Sequence, residues 1–190
     1  MFNVATETVT KGDLKLEYFQ VDPDHHNDPR QFENMTRFVW THGKYDLPQE
    51  IDGFNFKNYA GWDEAELALR AEFDAAIVIT VWMYDHSGVS FSCSIGNSKA
   101  NPWSMPWDSG IVGFAVVTNK EQQRSGFSIE ECERNLRREV NEYSAWTNGQ
   151  IYRFEITRGD EIVDIGEVIG WTEAQAEAEW CLKQAAEAAA

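Results

Sequence analysis

Basic residues are scarce in this chain. Sixteen lysines and arginines face 32 aspartates and glutamates, for a formal net charge of −16. Such a chain repels nucleic acid and anionic membranes and attracts basic surfaces. Direct binding to nucleic acid or membrane is therefore not expected. Cysteines are also few. Cys93, Cys132 and Cys181 form an odd, widely spaced set that fits neither a disulfide framework nor a zinc pattern. They read as buried free thiols. No apolar run approaches the roughly 18 residues a membrane span needs. The stretch MFNVATETV lacks a basic region followed by an apolar one. The expected setting is soluble and cytoplasmic.

What is present suits a packed core. Of 190 residues, 43% are apolar, with 8 Trp and 11 Phe, which excludes wholesale disorder. That length suits one domain. The reading is a single domain over residues 1–190, divided into an acidic N-terminal part (1–74), a core (75–171) and a C-terminal helix (172–190). Charge is unevenly spread. Residues 1–74 carry 15 acids and 7 bases, residues 75–159 carry 9 and 8, and residues 160–190 carry 8 and 1. The excess lies at the two ends.

Periodicity gives the elements. Leu14–Val21 (LKLEYFQV) alternates as a strand, and the apolar run 75–84 (AAIVITVWMY) suits a central strand covered on both faces. Val89–Cys93 and Ile111–Thr118 read as further strands of an antiparallel meander, and 151–156 with 161–168 as a hairpin through Gly159. Three helices are expected. Their starts are boxes at Asp63/Glu66, Ser128/Glu131 and Thr172/Gln175. Their apolar stripes are Ala65, Leu69, Phe73; then Ile129, Cys132, Leu136, Val140, Tyr143; then Ala174, Ala178, Cys181, Ala185. The fold class is α+β, an antiparallel sheet with two or three helices packed on it.

The stretch YDHSGVSFSCSIGNSKANPWSMPWDSGIVGF, Tyr84 to Phe114, looks like chemistry. Asp85, His86 and Ser109 supply the residue types of a nucleophilic triad, with Cys93 as an alternative nucleophile. Against this, Asp85 and His86 are adjacent and point to opposite faces of a strand, and no Gly-x-Ser-x-Gly elbow is present. Asp22, Asp24, His25, His26, Asp85, His86 and Asp108 include ligands for a hard cation. Their spacing matches no EF-hand, and H-E-x-x-H is missing, so neither metal nor cofactor is expected. A third reading is structural. Asp85, Ser87, Asp108 and Ser109 cap tight turns, while Trp103 and Trp107 fold over a sheet face as core or as a binding surface.

The pair Tyr84–Gly88 (YDHSG) and Pro106–Phe114 (PWDSGIVGF) resembles a family of small, largely uncharacterised proteins encoded by bacteriophages. Asn27–Pro48 and Leu136–Ile156 are similar to family segments in the same order, and the resemblance covers roughly positions 13–180. The insertion GNSKANPWSM and the stretch DIGEVIGW depart from the family pattern. The resemblance implies a phage or prophage setting and carries over no catalytic residue.

Charge and setting together suggest an inhibitor of a basic, nucleic-acid-binding host defence complex, restriction or CRISPR, acting by DNA mimicry. DNA carries about one charge per 1.7 Å of axis, so a string of carboxylates competes for the same groove. The candidate binding residues are Asp22, Asp24, Asp28, Glu33, Asp160, Glu161, Asp164, Glu173 and Glu177, with Trp103 and Trp107 as a protein-contact alternative. Two other readings stay open: a small metal- or His-dependent hydrolase using Asp85, His86, Asp108 and Ser109, and a phage accessory protein with no defence role.

Overall fold

The computed structural model describes residues 5–22, 26–96 and 99–188. In chain order the strands are β1 (Glu7–Lys11), β2 (Leu14–Gln20), β3 (Arg37–Trp40), β4 (Ala75–Asp85), β5 (Val89–Cys93), β6 (Ser109–Thr118), β7 (Ile151–Arg158) and β8 (Glu161–Ile169). The helices are α1 (Trp62–Glu72), α2 (Asn119–Ser125), α3 (Ile129–Thr147) and α4 (Trp171–Glu187). The fold is α+β. Its strands form two antiparallel four-stranded sheets, ordered β1-β2-β7-β8 and β3-β6-β4-β5. Contacts divide the chain into two compact units, one of residues 1–29 and 145–190, the other of residues 30–144.

In the first unit, alternation on β2 sends Leu14, Leu16 and Tyr18 to one face, where they meet Phe154 and Ile156 of β7. Ala174, Ala178, Cys181 and Leu182 recur at helical spacing on α4 and are buried, and the last three close that core. Strand β8 pairs with β7 through the expected hairpin, and a bulge opens after Ile156. At β8, Gly166 lies against the Phe154 ring, and a side chain there would strike it.

In the second unit, β4 is central, as its unbroken apolar run implies. The chain does not meander, however. Strands β5 and β6 both pair with β4, one on each side. Two adjacent consecutive hairpins would have set β5 between β4 and β6. One face of the sheet packs Val39, Val78, Phe114 and Val116 against Ala65 and Leu69 of α1. Phe38, Trp40, Phe91 and Tyr143 form an aromatic cluster in which Trp40 stacks on Phe38 and Phe91 and Tyr143 meets Phe38 and Trp40 edge-on.

Two expected helix starts shift. Helix α1 begins at Trp62 behind Gly61 with no side-chain cap; Asp63 instead pairs with Lys99, and Glu64 accepts the Ala60 N–H. Helix α4 begins at Trp171 behind Gly170, again without a side-chain cap, so Thr172 lies inside the first turn. The Ser128/Glu131 box does form: the Ser128 N–H donates to Glu131 at 2.8 Å, and the Glu131 N–H donates to Ser128 Oγ at 3.2 Å. A further box, Thr118 with Glu121, opens α2.

Candidate functional site

The carboxylates of the first unit gather on its C-terminal hairpin and helix. Asp160 sits in the β7–β8 turn, Glu161 opens β8, and Asp164 lies further along it. Helix α4 runs back over the same sheet and carries Glu173 and Glu177 one turn apart. The Cys181 thiol links the two elements. Burial, followed by the hydrogen bond to Asp164 and the nearby Asp164 and Glu177 charges, pushes it up to about 11. The Asp164 and Glu177 charges therefore both disfavour ionisation of this thiol.

Four other acids in this unit pair with a lysine or arginine. Lys15 meets Glu17 at 2.9 Å, Arg153 meets Glu155 at 2.8 Å, Arg158 meets Asp13 at 2.9 Å, and Lys183 meets Glu187 at 3.9 Å. Among the described residues, Asp160, Glu161, Asp164, Glu173 and Glu177 form no ion pair. The unit as a whole holds 15 acids and 5 bases, a net −10, against 17 acids and 11 bases in the larger second unit. Negative charge is thus densest where basic partners are fewest.

The remaining acidic candidates are placed differently. Asp22 follows β2 and is exposed, and Asp28 is half-buried before Pro29. Asp24 lies outside the described residues, as does His25. Glu33 belongs to the second unit, where Arg124 Nη2 holds it at 2.9 Å.

The motif in the second unit resolves into separate local pairs. Asp85, at the end of β4, accepts hydrogen bonds from Tyr45 Oη at 3.0 Å and Lys44 Nζ at 3.2 Å. The Lys44 bond, then the Tyr45 bond, hold its carboxyl below the usual range. His42 stacks on the Tyr45 ring at 5.1 Å. His86 turns instead to Asp108, with Nδ1 3.4 Å from the carboxylate. Ser109 Oγ donates to the Met105 carbonyl at 2.8 Å and accepts from Asn101 at 2.6 Å, which spends it as a loop clasp. Cys93 is buried, and burial pushes its thiol up to about 12, far from thiolate chemistry at neutral pH. The histidine and carboxylates come to one end of the sheet, but Asp85 does not orient His86, and neither Ser109 nor Cys93 is presented as a nucleophile. Among the described residues no group of three or more His, Cys, Asp or Glu could hold a metal ion.

The tryptophan loop departs from expectation. Trp103 is half-buried beside the Tyr84 ring, 5.7 Å between centroids, but Trp107 is 90% exposed. The P-W-S-M-P-W frame turns its second indole outward because Ser109 and Asn101 close the loop through polar bonds without it. Trp107→Ala should accordingly leave the melting temperature within about 2 °C of wild type, as for an ordinary surface change. A thermal melt showing a drop of several degrees would place the indole in the core.

Sequence reasoning missed Trp180. It is 63% exposed on α4, on the flank that also carries Glu173 and Glu177. The signal was available: Trp180 falls outside the stripe Ala174, Ala178, Cys181 that the helix buries.

No helix among the described residues is long and apolar enough to cross a membrane. Compared with family models, curated proteins and solved structures, the chain matches none.

Proposed function

We propose that this protein is a binding protein whose acidic unit engages a basic, nucleic-acid-binding partner. The observation that supports the reading is the set of five carboxylates, Asp160, Glu161, Asp164, Glu173 and Glu177, that have no cation of their own on one hairpin and helix. No ion pair in the fold requires their charge, and their mutual repulsion costs stability. A partner that brings lysine and arginine removes that cost and gains charge-assisted hydrogen bonds. With the phage-type sequence resemblance, the reading extends to a phage-encoded inhibitor of a host restriction or CRISPR complex, held by carboxylates standing where the complex expects phosphates.

Affinity purification from a bacterial host carrying such systems tests this. The tagged wild type should retain a basic nucleic-acid-binding complex at about 50 mM salt and lose it at about 500 mM, because exposed charges are screened over less than about 5 Å at the higher concentration. The variant Asp160→Asn, Glu161→Gln, Asp164→Asn, Glu173→Gln, Glu177→Gln should retain little of it while melting at the wild-type temperature or above. Equal capture by the variant would assign the acids to solubility alone.

A further inference from the structure

We propose that Glu177 and Trp180 together form an arginine-selective docking point on α4 for the basic partner. The inference rests on the reading that this unit's acids meet such a partner, and names how one of its side chains is held. Helix α4 buries Ala174, Ala178, Cys181 and Leu182, the last three in the core cluster with the sheet. Steps of four and three then set Glu173, Glu177 and Trp180 along one outward flank, where residues at those spacings are neighbours, about 5–6 Å apart at Cβ. Among the described residues Trp180 stacks on no ring and carries no cation.

Solubility explains exposed carboxylates. It does not explain an exposed indole on the same helix flank, since apolar surface works against solubility. A protein interface accounts for both, with tryptophan as its anchor. The charge of the surface fixes the sign of the partner. The pairing of a carboxylate with an indole one turn away then selects between its two cations. A planar guanidinium can lie on the Trp180 face and still donate to the Glu177 carboxylate through its edge. A lysine ammonium is a compact, strongly hydrated point charge that gains less from the ring. The occupant is therefore an arginine-bearing segment of a protein.

Fluorescein-labelled nona-arginine and nona-lysine peptides, titrated against the full chain by anisotropy at about 0.15 M salt, read this out. The arginine peptide should bind about two- to fivefold tighter than the lysine peptide, the range an exposed cation–π contact gives. Trp180→Ala should abolish that preference while leaving lysine-peptide affinity within about twofold, and Trp180→Phe should restore part of it. Glu177→Gln should weaken both peptides, whereas Glu187→Gln, at an acid already paired with Lys183, should change neither. An arginine preference that survives Trp180→Ala overturns the docking point and leaves the acidic-unit reading standing. Failure of both peptides to bind overturns both. Melting curves on each variant confirm that the exposed substitutions leave the fold intact.

Discussion

Gly113→Ala should destabilise the protein by more than about 4 kcal/mol, a size reserved for a few named defects. Gly113 lies in β6, between Trp40 of β3 and Val81 of β4. Its φ is +151, and a Cβ built there would stand 2.0 Å from the Val39 carbonyl oxygen and 2.9 Å from the Trp40 Cα. Both obstacles are backbone in a paired strand, so neither can swing aside. Relief requires β3 to move off β6, and β3 carries Phe38 and Trp40 into the aromatic cluster. The fall in melting temperature should be on the order of 10 °C or more for a chain of this size. Gly110→Ala is the internal control, three residues earlier on the same strand. A Cβ there meets nothing within 4 Å, and the change should stay within about 1 kcal/mol. Equal destabilisation by the two would show that β6 tolerates no side chain for some reason other than this close approach.

The motif region is therefore first a piece of sheet engineering. YDHSG closes β4 and turns into β5, with Ser87 in the left-handed region at φ 55 and the His86 N–H donating to the Gly88 carbonyl. PWDSGIVGF brings the chain back along the other side of β4, where the Asp85 N–H donates to the Asp108 carbonyl at 2.8 Å. Two stretches twenty residues apart look alike in chemistry because they meet at the same end of one strand.

Local signals carried most of what the sequence revealed. The run 75–84 was legible as a central strand because strands flanked on both sides and covered on both faces need apolar residues at every position. The β7–β8 hairpin and α3 were legible from Gly159, from the Ser128/Glu131 box and from the stripe Cys132, Leu136, Val140, Tyr143. The first strand, β1, was not, since all five of its residues are exposed and ETVTK offers no apolar alternation. Helix α2 was missed although Thr118 and Glu121 spell a capping box, because no apolar stripe follows it. The split into two sheets was out of reach. Nothing local says that β2 pairs with β7, more than a hundred residues away. At the candidate site the acids were legible as charge density, but which of them lacks a cation depends on long-range pairing. Arg158 reaching Asp13 and Arg124 reaching Glu33 leave no trace in the local sequence. The neighbours of Trp107 in the chain leave core and binding surface equally open, and its exposure goes with polar bonds made by Ser109 and Asn101.

A second large effect is expected at Arg30. The guanidinium is buried and fully engaged. Its Nε and Nη2 donate to the two oxygens of Glu50 at 2.9 and 2.8 Å, Nη1 donates to Glu139 at 3.1 Å, and Nη2 also reaches the Thr36 carbonyl at 2.6 Å. Its plane covers the Phe38 ring at 3.8 Å. The two carboxylates are themselves tied to backbone: Glu50 accepts from the Phe38 N–H at 2.7 Å, and Glu139 from the Met35 and Thr36 N–H groups at 3.2 and 3.1 Å. One arginine thus joins the segment before β3, the loop holding Glu50 and helix α3 within the second unit. Arg30→Met keeps the length and the contact with Phe38 but leaves two carboxylates facing each other out of water. Removing one member of a buried ionic set costs about 3–5 kcal/mol, because the remaining charge is uncompensated. The net worth of the whole set is far smaller, since all three groups also had to be desolvated. The variant Arg30→Met, Glu50→Gln, Glu139→Gln should therefore recover much of the loss. Glutamine keeps one carbonyl acceptor for the backbone N–H groups at each position and carries no charge. Chemical denaturation of wild type, single and triple variants measures this. If the triple variant proves less stable than Arg30→Met alone, directed hydrogen bonds rather than charge compensation dominate the site. If Arg30→Met costs under about 1 kcal/mol, the range of an exposed pair, the network does not hold β3 to α3.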